Sequence, residues 1–365
     1  SLTVITGHER ANPNSTDQVK DWLRSLGWEP RTFKFMRDKV TGDTRELEQV
    51  RKDSLLCDSV KELAAVDPAI NLLVLSHRIG VLKGMVTAHR DGYVKATVSG
   101  LTNTLRFKHA KPLVNLPSID KPYGKEIRGC LTCPEGYTLC GADMTSLEDT
   151  TKRHYMKPHD PSYVEAMSAE GFDPHLDLAL HAGVITQGDI DKHNSGERSL
   201  KALRKNYKVV NYSATYGVGA ATLSRTTGMP NKDCKVLLDA FWSRNWSVEK
   251  VASTVRTKNF FEGMWLKNPV SGFWYSLRSE KDRFSTLNQG TGVFCFDSWV
   301  AICRKNGIDT VGQFHDEIIA VVKHGDEERT KTTMEKAIEK LNEKLKLNVP
   351  LGVDAQFGNT YADIH

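Results

Sequence analysis

Two carboxylates stand at the ends of apolar strands on either side of a long helical stretch, and a fold that uses both must bring those strands side by side. Asp143 closes the segment Ile127 to Ala142, whose pattern reads as two short strands joined at Pro134-Glu135-Gly136. Asp316 lies in His315-Asp316-Glu317, between the apolar runs Thr310 to Phe314 and Ile318 to Val322, which reads as a tight hairpin with an acidic tip. If the strands are neighbours, the carboxylates meet at one sheet edge and could hold two divalent cations about 3.5–4 Å apart. Taken alone, the tripeptide reads more readily as a solvated turn.

Between these points runs Arg204-Lys-Asn-Tyr-Lys208-Val-Val-Asn-Tyr212-Ser-Ala-Thr-Tyr216-Gly217. Arg204, Lys208, Tyr212 and Tyr216 are four apart, so a helix lines up two cations and then two rings on one face. Such a face suits a polyphosphate at one end and a sugar or base at the other; a solvated basic stripe running into two buried tyrosines explains it equally well. Glu148 also has two readings, because Thr145-Ser-Leu-Glu148 matches a capping box. Gly217-Val-Gly219 follows a helix and lacks a third glycine, so it is no dinucleotide fingerprint. Cys130, Cys133 and Cys140 contain one C-x-x-C without a completing pair and are expected in strands as small apolar residues.

The N-terminal part, residues 11 to 110, reads as mostly helical: Val19, Trp22, Leu23 and Leu26 share a face that Gly27 ends, a second helix is expected over Leu55 to Ala65, and short strands or an extended arm over Val86 to Leu105. Glu327 to Leu347 is an amphipathic helix. With 39% hydrophobic and 26% charged residues, the composition argues against a disordered, collagenous or membrane class. The longest apolar runs, Leu72 to Leu75 and Ile318 to Val322, are too short to span a bilayer, so no membrane partner is expected. A net charge of +5 permits a polyanionic partner without demanding one. Seven scattered cysteines with no signal peptide point to a reducing, cytoplasmic setting.

In their order, three segments resemble the family A DNA polymerases, the group containing bacterial DNA polymerase I and the replicative polymerases of short-tailed phages. Asp143-Met-Thr-Ser-Leu-Glu148 is similar to motif A, Arg204-x3-Lys208-x3-Tyr212-x3-Tyr216-Gly217 to motif B, and His315-Asp316-Glu317 to motif C. Weaker likenesses lie in Asn115-Leu-Pro117, Pro122-Tyr-Gly124 with Arg128, Asp173-Pro-His175, Gln289-Gly-Thr291 and the ending Tyr361 to His365. Departures are Asp149-Thr150 after the motif A glutamate, Asp120 beside Lys121 where a primer-contacting arginine is common, and Gly272-Phe-Trp274 in place of a glycine-arginine hairpin.

The resemblance implies an α+β right-hand architecture: a thumb over 1–110, a first palm part over 111–155, fingers and their connection over 156–284, and a second palm part over 285–365. It implies template-directed addition of deoxynucleotides to a primer 3′-hydroxyl with release of pyrophosphate. Asp143 and Asp316 would bind two Mg²⁺, with Mn²⁺ as a substitute, and Glu317 would support them. Arg204, Lys208 and His175 would hold phosphates, Lys208 also acting as the proton donor, while Glu148 and Tyr212 would exclude a 2′-hydroxyl. Tyr216, Gly217, Gln289, Arg128, His315 and Gln313 would contact DNA. The implied partners are primer-template DNA and deoxynucleoside triphosphates, in a host cytoplasm if phage-encoded; a replisome or processivity partner leaves no readable mark. No stretch resembles the carboxylate motifs of a proofreading domain, so none is expected here unless the chain is part of something longer. The rival readings are a metal-dependent nuclease and a non-catalytic nucleic-acid-binding subunit.

Phenylalanine is common in the family where this chain has Tyr212, and a phenol there can stand in for the interactions that a 3′-hydroxyl would otherwise make. Dideoxynucleotides are therefore expected to compete nearly evenly with deoxynucleotides in primer extension; strong rejection would contradict this.

Overall fold

Ser15 caps helix α1 (Thr16–Ser25), its hydroxyl accepting from the Gln18 N–H at 3.4 Å. The helix stops at Gly27, whose φ of 84° lets the Gly27 and Trp28 N–H groups reach back to the carbonyls of Arg24 and Leu23. Leu23 and Trp28 enter a small core with Leu55 and Val60. The computed structural model describes residues 7, 10–30, 32–37, 42–51, 55, 60, 66–227, 229–261 and 263–365, and divides into two compact units, Ser1–His89 and Arg90–His365.

The first unit is less helical than its sequence suggests. Phe33–Arg37 (β1) and Thr44–Glu48 (β2) pair antiparallel, because Phe33, Phe35 and Leu47 alternate with charged neighbours at period two. The helix expected over Leu55 to Ala65 lies mostly outside the described residues. Helix α2 (Val66–Ala88) follows, and within it Asp67–Ala88 is long and apolar enough to cross a membrane by length and composition alone, with a mean hydropathy of 1.3. Reading only unbroken apolar runs missed this, since Ser76, His77, Arg78 and Lys83 interrupt the segment without lowering its average far.

In the second unit, Thr97–Leu101 (β3) and Phe107–Ala110 (β4) form an antiparallel hairpin; β3 falls in the stretch Val86 to Leu105 where short strands were expected, and β4 lies beyond it. Ile127 instead belongs to a short helix, Gly124–Gly129 (α3); of the two strands expected before Asp143 only the second, Tyr137–Met144 (β5), forms, the first shrinking to a bridge between Thr132 and Thr360. Cys130 accordingly ends a helix in solvent and Cys133 is half-buried just after the Thr132 bridge, while Cys140 alone of the three is a buried strand residue.

Helices α4 (Leu147–Met156) and α5 (Pro161–Met167) lead to a helical layer: α6 (Pro174–His181), α7 (Gln187–Asn194), α8 (Lys201–Thr215), α9 (Ala220–Thr227) and α10 (Asn231–Arg244). Its core gathers Leu178, Val210, Leu223 and Phe241. After α11 (Trp246–Thr254), strands β6 (Thr257–Phe260), β7 (Gly263–Lys267) and β8 (Trp274–Leu277) form an antiparallel sheet against the long helix α12 (Arg283–Lys305). The chain ends with β9 (Thr310–Phe314), β10 (Glu317–Lys323), α13 (Glu327–Leu345) and β11 (Val353–Gly358).

The sheet that carries both carboxylates has the order β9-β10-β5-β11, every pair antiparallel. Cys140, Ala142, Ile318 and Ala320 point to one face and pack on Phe296, Trp299 and Met334 of α12 and α13. The other face carries Asp143 and Glu317. Helices and antiparallel sheets thus make the α+β class expected from the sequence.

Gly290 lets α12 approach the three-stranded sheet: a Cβ there would lie 2.9 Å from the ring of Tyr275, which is buried and donates its hydroxyl to the Gly290 carbonyl at 3.1 Å. Gly290→Ala is expected to cost about 1–3 kcal/mol in chemical denaturation. Gly292→Ala, whose Cβ would meet Leu147 at an ordinary 3.5 Å, should be close to neutral.

Candidate active site

The apolar alternation of β5 and β10 sets their register, and that register places Glu317 and Asp354 directly opposite Asp143 on its two neighbouring strands. His315, with φ of 53°, turns the hairpin so that the Asp316 carbonyl accepts the Met144 N–H at 3.1 Å. Asp143 and Asp316 therefore meet at one sheet edge. Burial, then the charges of Asp316 and Asp354, push the Asp143 carboxyl up to about 6. Burial and the charge of Asp143 push Glu317 up to about 8, against the opposing pull of Arg128.

Glu317 is buried among the C-terminal residues. The Tyr361 hydroxyl donates to its Oε2 at 3.4 Å, while its Oε1 has no hydrogen-bond partner although His365 Nε2 lies 3.4 Å away. The His365 contact is no ion pair at neutral pH, because burial and the nearby Arg128 hold that imidazole down to about 4. Arg128 spends its Nε–H on the Pro117 carbonyl at 2.8 Å and its plane on the Tyr361 ring, 4.8 Å from the centroid. Among the described residues no group of three or more His, Cys, Asp or Glu side chains is placed to hold a metal ion. Asp143, coupled electrostatically to Asp316 and Asp354, offers hard oxygen donors of the kind a divalent ion takes when its other ligands are waters or a phosphate.

Helix α8 buries Tyr207, Val210 and Ala214 and turns Arg204, Lys208 and Tyr212 the other way. It ends at Tyr216 because Gly217 takes φ of 70°, with the Gly217 and Val218 N–H groups donating to Ala214 and Ser213. Tyr212 is 59% exposed and Tyr216 39%, so the two rings are available rather than buried at the helix end. Arg204 is ion-paired to Asp173, which also caps α6 by accepting from the His175 and Leu176 N–H groups. Burial opposes the Asp173 charge, but Arg204 and those donors more than offset it and hold the carboxyl below its usual range.

His175 is buried, 6.0 Å from the Tyr212 ring, and lowered by burial and by the charges of Arg204, Lys208 and Lys152. Asn211 Nδ2 donates to the Pro174 carbonyl at 3.0 Å and approaches His175 Nδ1 at 3.1 Å. A donor at Nδ1 leaves the proton of the neutral ring on Nε2.

Glu148 does not close a capping box. Ser146, with φ of 46°, precedes α4 without a side-chain cap, and the Glu148 carboxylate instead accepts from the Tyr216 hydroxyl at 2.6 Å and lies 3.6 Å from Arg106. Gln289 on α12 donates to the same hydroxyl at 3.3 Å. A cavity of about 390 Å³ joins Glu148, His175, Tyr212, Tyr216 and Gln289 in its lining; Asp143, Asp316, Arg204 and Lys208 lie outside that lining. His315 stands edge-on to His109 at 5.8 Å, and Gln313 donates to Asp297 at 2.8 Å.

Sequence reasoning missed Asp354, Arg106, Asn211 and Lys152. Asn211 sits one residue before the tyrosine of a pattern read every fourth position, on a side of α8 that the reading did not follow. Asp354 becomes a neighbour of Asp143 only through strand register. Lys152 lines the cavity with its ammonium donated to Asn245 at 2.9 Å, and no spacing in the sequence marks it.

A family model for DNA polymerase family A matches residues 2–265. The chain is 24% identical to a DNA polymerase I of Lactococcus lactis subsp. cremoris, over 84% of its own length and 36% of the relative's. It is 22% identical to a thermostable DNA polymerase I of Thermus filiformis, over 98% and 42% of the two lengths. The chain thus spans well under half of these curated relatives. A solved POL domain of Pol1 from M. smegmatis, in complex with DNA primer-template and dNTP, superposes with a TM-score of 0.73 at 20% identity, over 98% of this chain and 62% of that one. The fold is that of a polymerase domain.

Asp143 and Glu317 bind protons more tightly when folded, so they support stability below their ordinary values and withdraw it as pH rises toward about 6 and about 8. Without divalent ions the melting temperature should fall between about pH 5 and pH 8, and Mg²⁺ should raise it more at the upper end, where the carboxylates are ionised. Thermal unfolding at matched ionic strength tests both; an equal Mg²⁺ effect at the two pH values would contradict the assignment.

Proposed function

The chain belongs to DNA polymerase family A, and from that premise we propose that it extends a primer 3′-hydroxyl by template-directed transfer of deoxynucleotides, releasing pyrophosphate. The observation that carries this reading is the meeting of Asp143 and Asp316 at one sheet edge through the β5–β10 register.

Asp143 and Asp316 would hold two Mg²⁺, with Mn²⁺ able to substitute; ions bound there lower the pKa of the attacking hydroxyl and neutralise the triphosphate. Arg204 and Lys208 bind the outer phosphate oxygens by charge-assisted hydrogen bonds, and Lys208 returns a proton to the leaving pyrophosphate. His175, kept neutral and with its proton on Nε2, donates to a phosphate oxygen. Arg204 must exchange its Asp173 partner for the nucleotide, which ties phosphate binding to a shift of α8.

Glu148 and Tyr212 line the same cavity, and their bulk leaves no room for a 2′-hydroxyl, so ribonucleotides are rejected by a steric and desolvation penalty. Tyr216 is held to the palm by Glu148 and Gln289 and moves away as a template base enters. Gln289, Arg128, His315 and Gln313 face DNA from the palm side, and Gly217 leaves bare backbone beside the template. Glu317 supports the carboxylate edge from its C-terminal nest.

Extension of a labelled primer on a defined template, with Mg²⁺ and each deoxynucleotide singly, tests the reading. Only the complementary nucleotide should be added. Asp143→Ala or Asp316→Ala should lower the rate at least about a thousandfold while primer-template binding survives. Degradation of DNA with Mg²⁺ and no nucleotide would support a nuclease instead.

A further inference from the structure

The sheet β6–β7–β8 breaks the usual rule for a half-buried antiparallel sheet. Its inner face is ordinary: Leu266, Tyr275 and Leu277 are buried, and Tyr275 packs on α12. Register puts Lys258 opposite Trp265 opposite Ser276, and Lys267 opposite Trp274, with Phe260 at the end of the same face. This second face carries two tryptophans and a phenylalanine where polar residues belong.

Cations surround those rings. Lys258 Nζ lies 4.1 Å from the Trp274 centroid, with Arg256 and Lys267 each at 5.5 Å, and Lys258 is also 5.2 Å from Phe260. Among the described residues no carboxylate lies within 4 Å of these three cations, whereas Arg283, at the start of the adjoining helix, does have one in Glu280. Phe260 is 52% exposed and Phe261, packed edge-on to it at 4.3 Å, is 89% exposed. The Trp265 Nε1–H is buried without a hydrogen-bond partner. A sheet face with flat rings and three cations that no described carboxylate neutralises, Lys267 donating only to the Gly272 carbonyl, fits a ligand that has both exposed π-faces and a chain of negative charges.

We infer that the outer face of β6–β8 is a second nucleic-acid contact that binds single-stranded DNA, its bases stacking on Phe260 and Trp274 and its phosphates meeting Arg256, Lys258 and Lys267. Duplex DNA does not serve, because paired bases hide the faces that would stack. The platform is built onto α12, the helix that carries Gln289, through the Tyr275 hydroxyl bond to Gly290 and the Asn268 bond to Thr291 at 2.8 Å. A strand lying on it is therefore anchored to the same rigid rod as the nucleotide cavity.

The test is fluorescence anisotropy of the full chain with a labelled oligodeoxythymidine and, separately, a blunt duplex of equal length. Phe260→Ala and Trp274→Ala should each weaken single-strand binding by about fivefold to a hundredfold, and Trp274→Phe should retain most of it. Lys258→Ala should reduce the slope of log affinity against log salt by about 0.7. Duplex affinity should stay within about twofold of the parent for the aromatic variants, since a duplex does not stack on these rings. Unchanged single-strand affinity in Phe260→Ala, whose half-exposed ring can be removed without opening the core, overturns the inference. Equal losses for oligomer and duplex overturn it too, because they describe a phosphate grip without stacking. No turnover is measured, so either result leaves the polymerase reading where it stood.

Discussion

The pairing of β5 with β10 is the contact on which the rest of this molecule depends. It is a ladder of backbone hydrogen bonds between segments that the whole helical layer separates in sequence, and its register is held by residues with no chemistry. Cys140, Ala142, Ile318 and Ala320 must face α12 and α13, and a slip of one residue would turn all of them toward solvent. Asp143 and Glu317 occupy the alternate positions. Their convergence is a by-product of burying the other face, which is why so sparse a set of acidic residues can be held so close. Burial first, and then the like charges held close by, raise the Asp143 and Glu317 carboxyls.

The helical layer works by a different economy. Helix α8 presents its cations and rings by period alone, but the side chains that orient them come from elsewhere. Asp173 serves as helix cap and as partner of Arg204, so the start of α6 and the exposed face of α8 share one carboxylate. Asn211 selects the tautomer of His175 from inside α8 itself. Glu148, Tyr216 and Gln289 join three helices through one phenol oxygen, and each of those hydrogen bonds must be exchanged if α8 is to move. These groups are thus bonded to one another within the protein, and any ligand entering the cavity has to compete with internal partners.

Much of this was legible beforehand for reasons that are local. A four-residue spacing that becomes a face and apolar runs flanking a short acidic turn both depend on neighbours in the chain. Misreadings arose where two local descriptions were equally good. Residues 33–48 alternate strictly enough for a hairpin although their surroundings look helical, and Ile127 sits in a helix that an apolar-run reading takes for strand. Thr145 to Glu148 has the spacing of a capping box, yet the left-handed Ser146 and the pull of Tyr216 and Arg106 take the carboxylate away.

The sequence by itself determined the family, the three segments that resemble the family's motifs, and the identity of the residues on the exposed face of α8, because each is written in short-range spacing. Only the tertiary structure decided that Asp354 stands beside Asp143, that Arg106 reaches Glu148, that Asn211 sets His175, and that the rings and cations of β6–β8 share one face. Those relations are made by strand register and by contacts between elements far apart in the chain. A distance in space between such elements is set by how their buried faces pack, which no local pattern encodes.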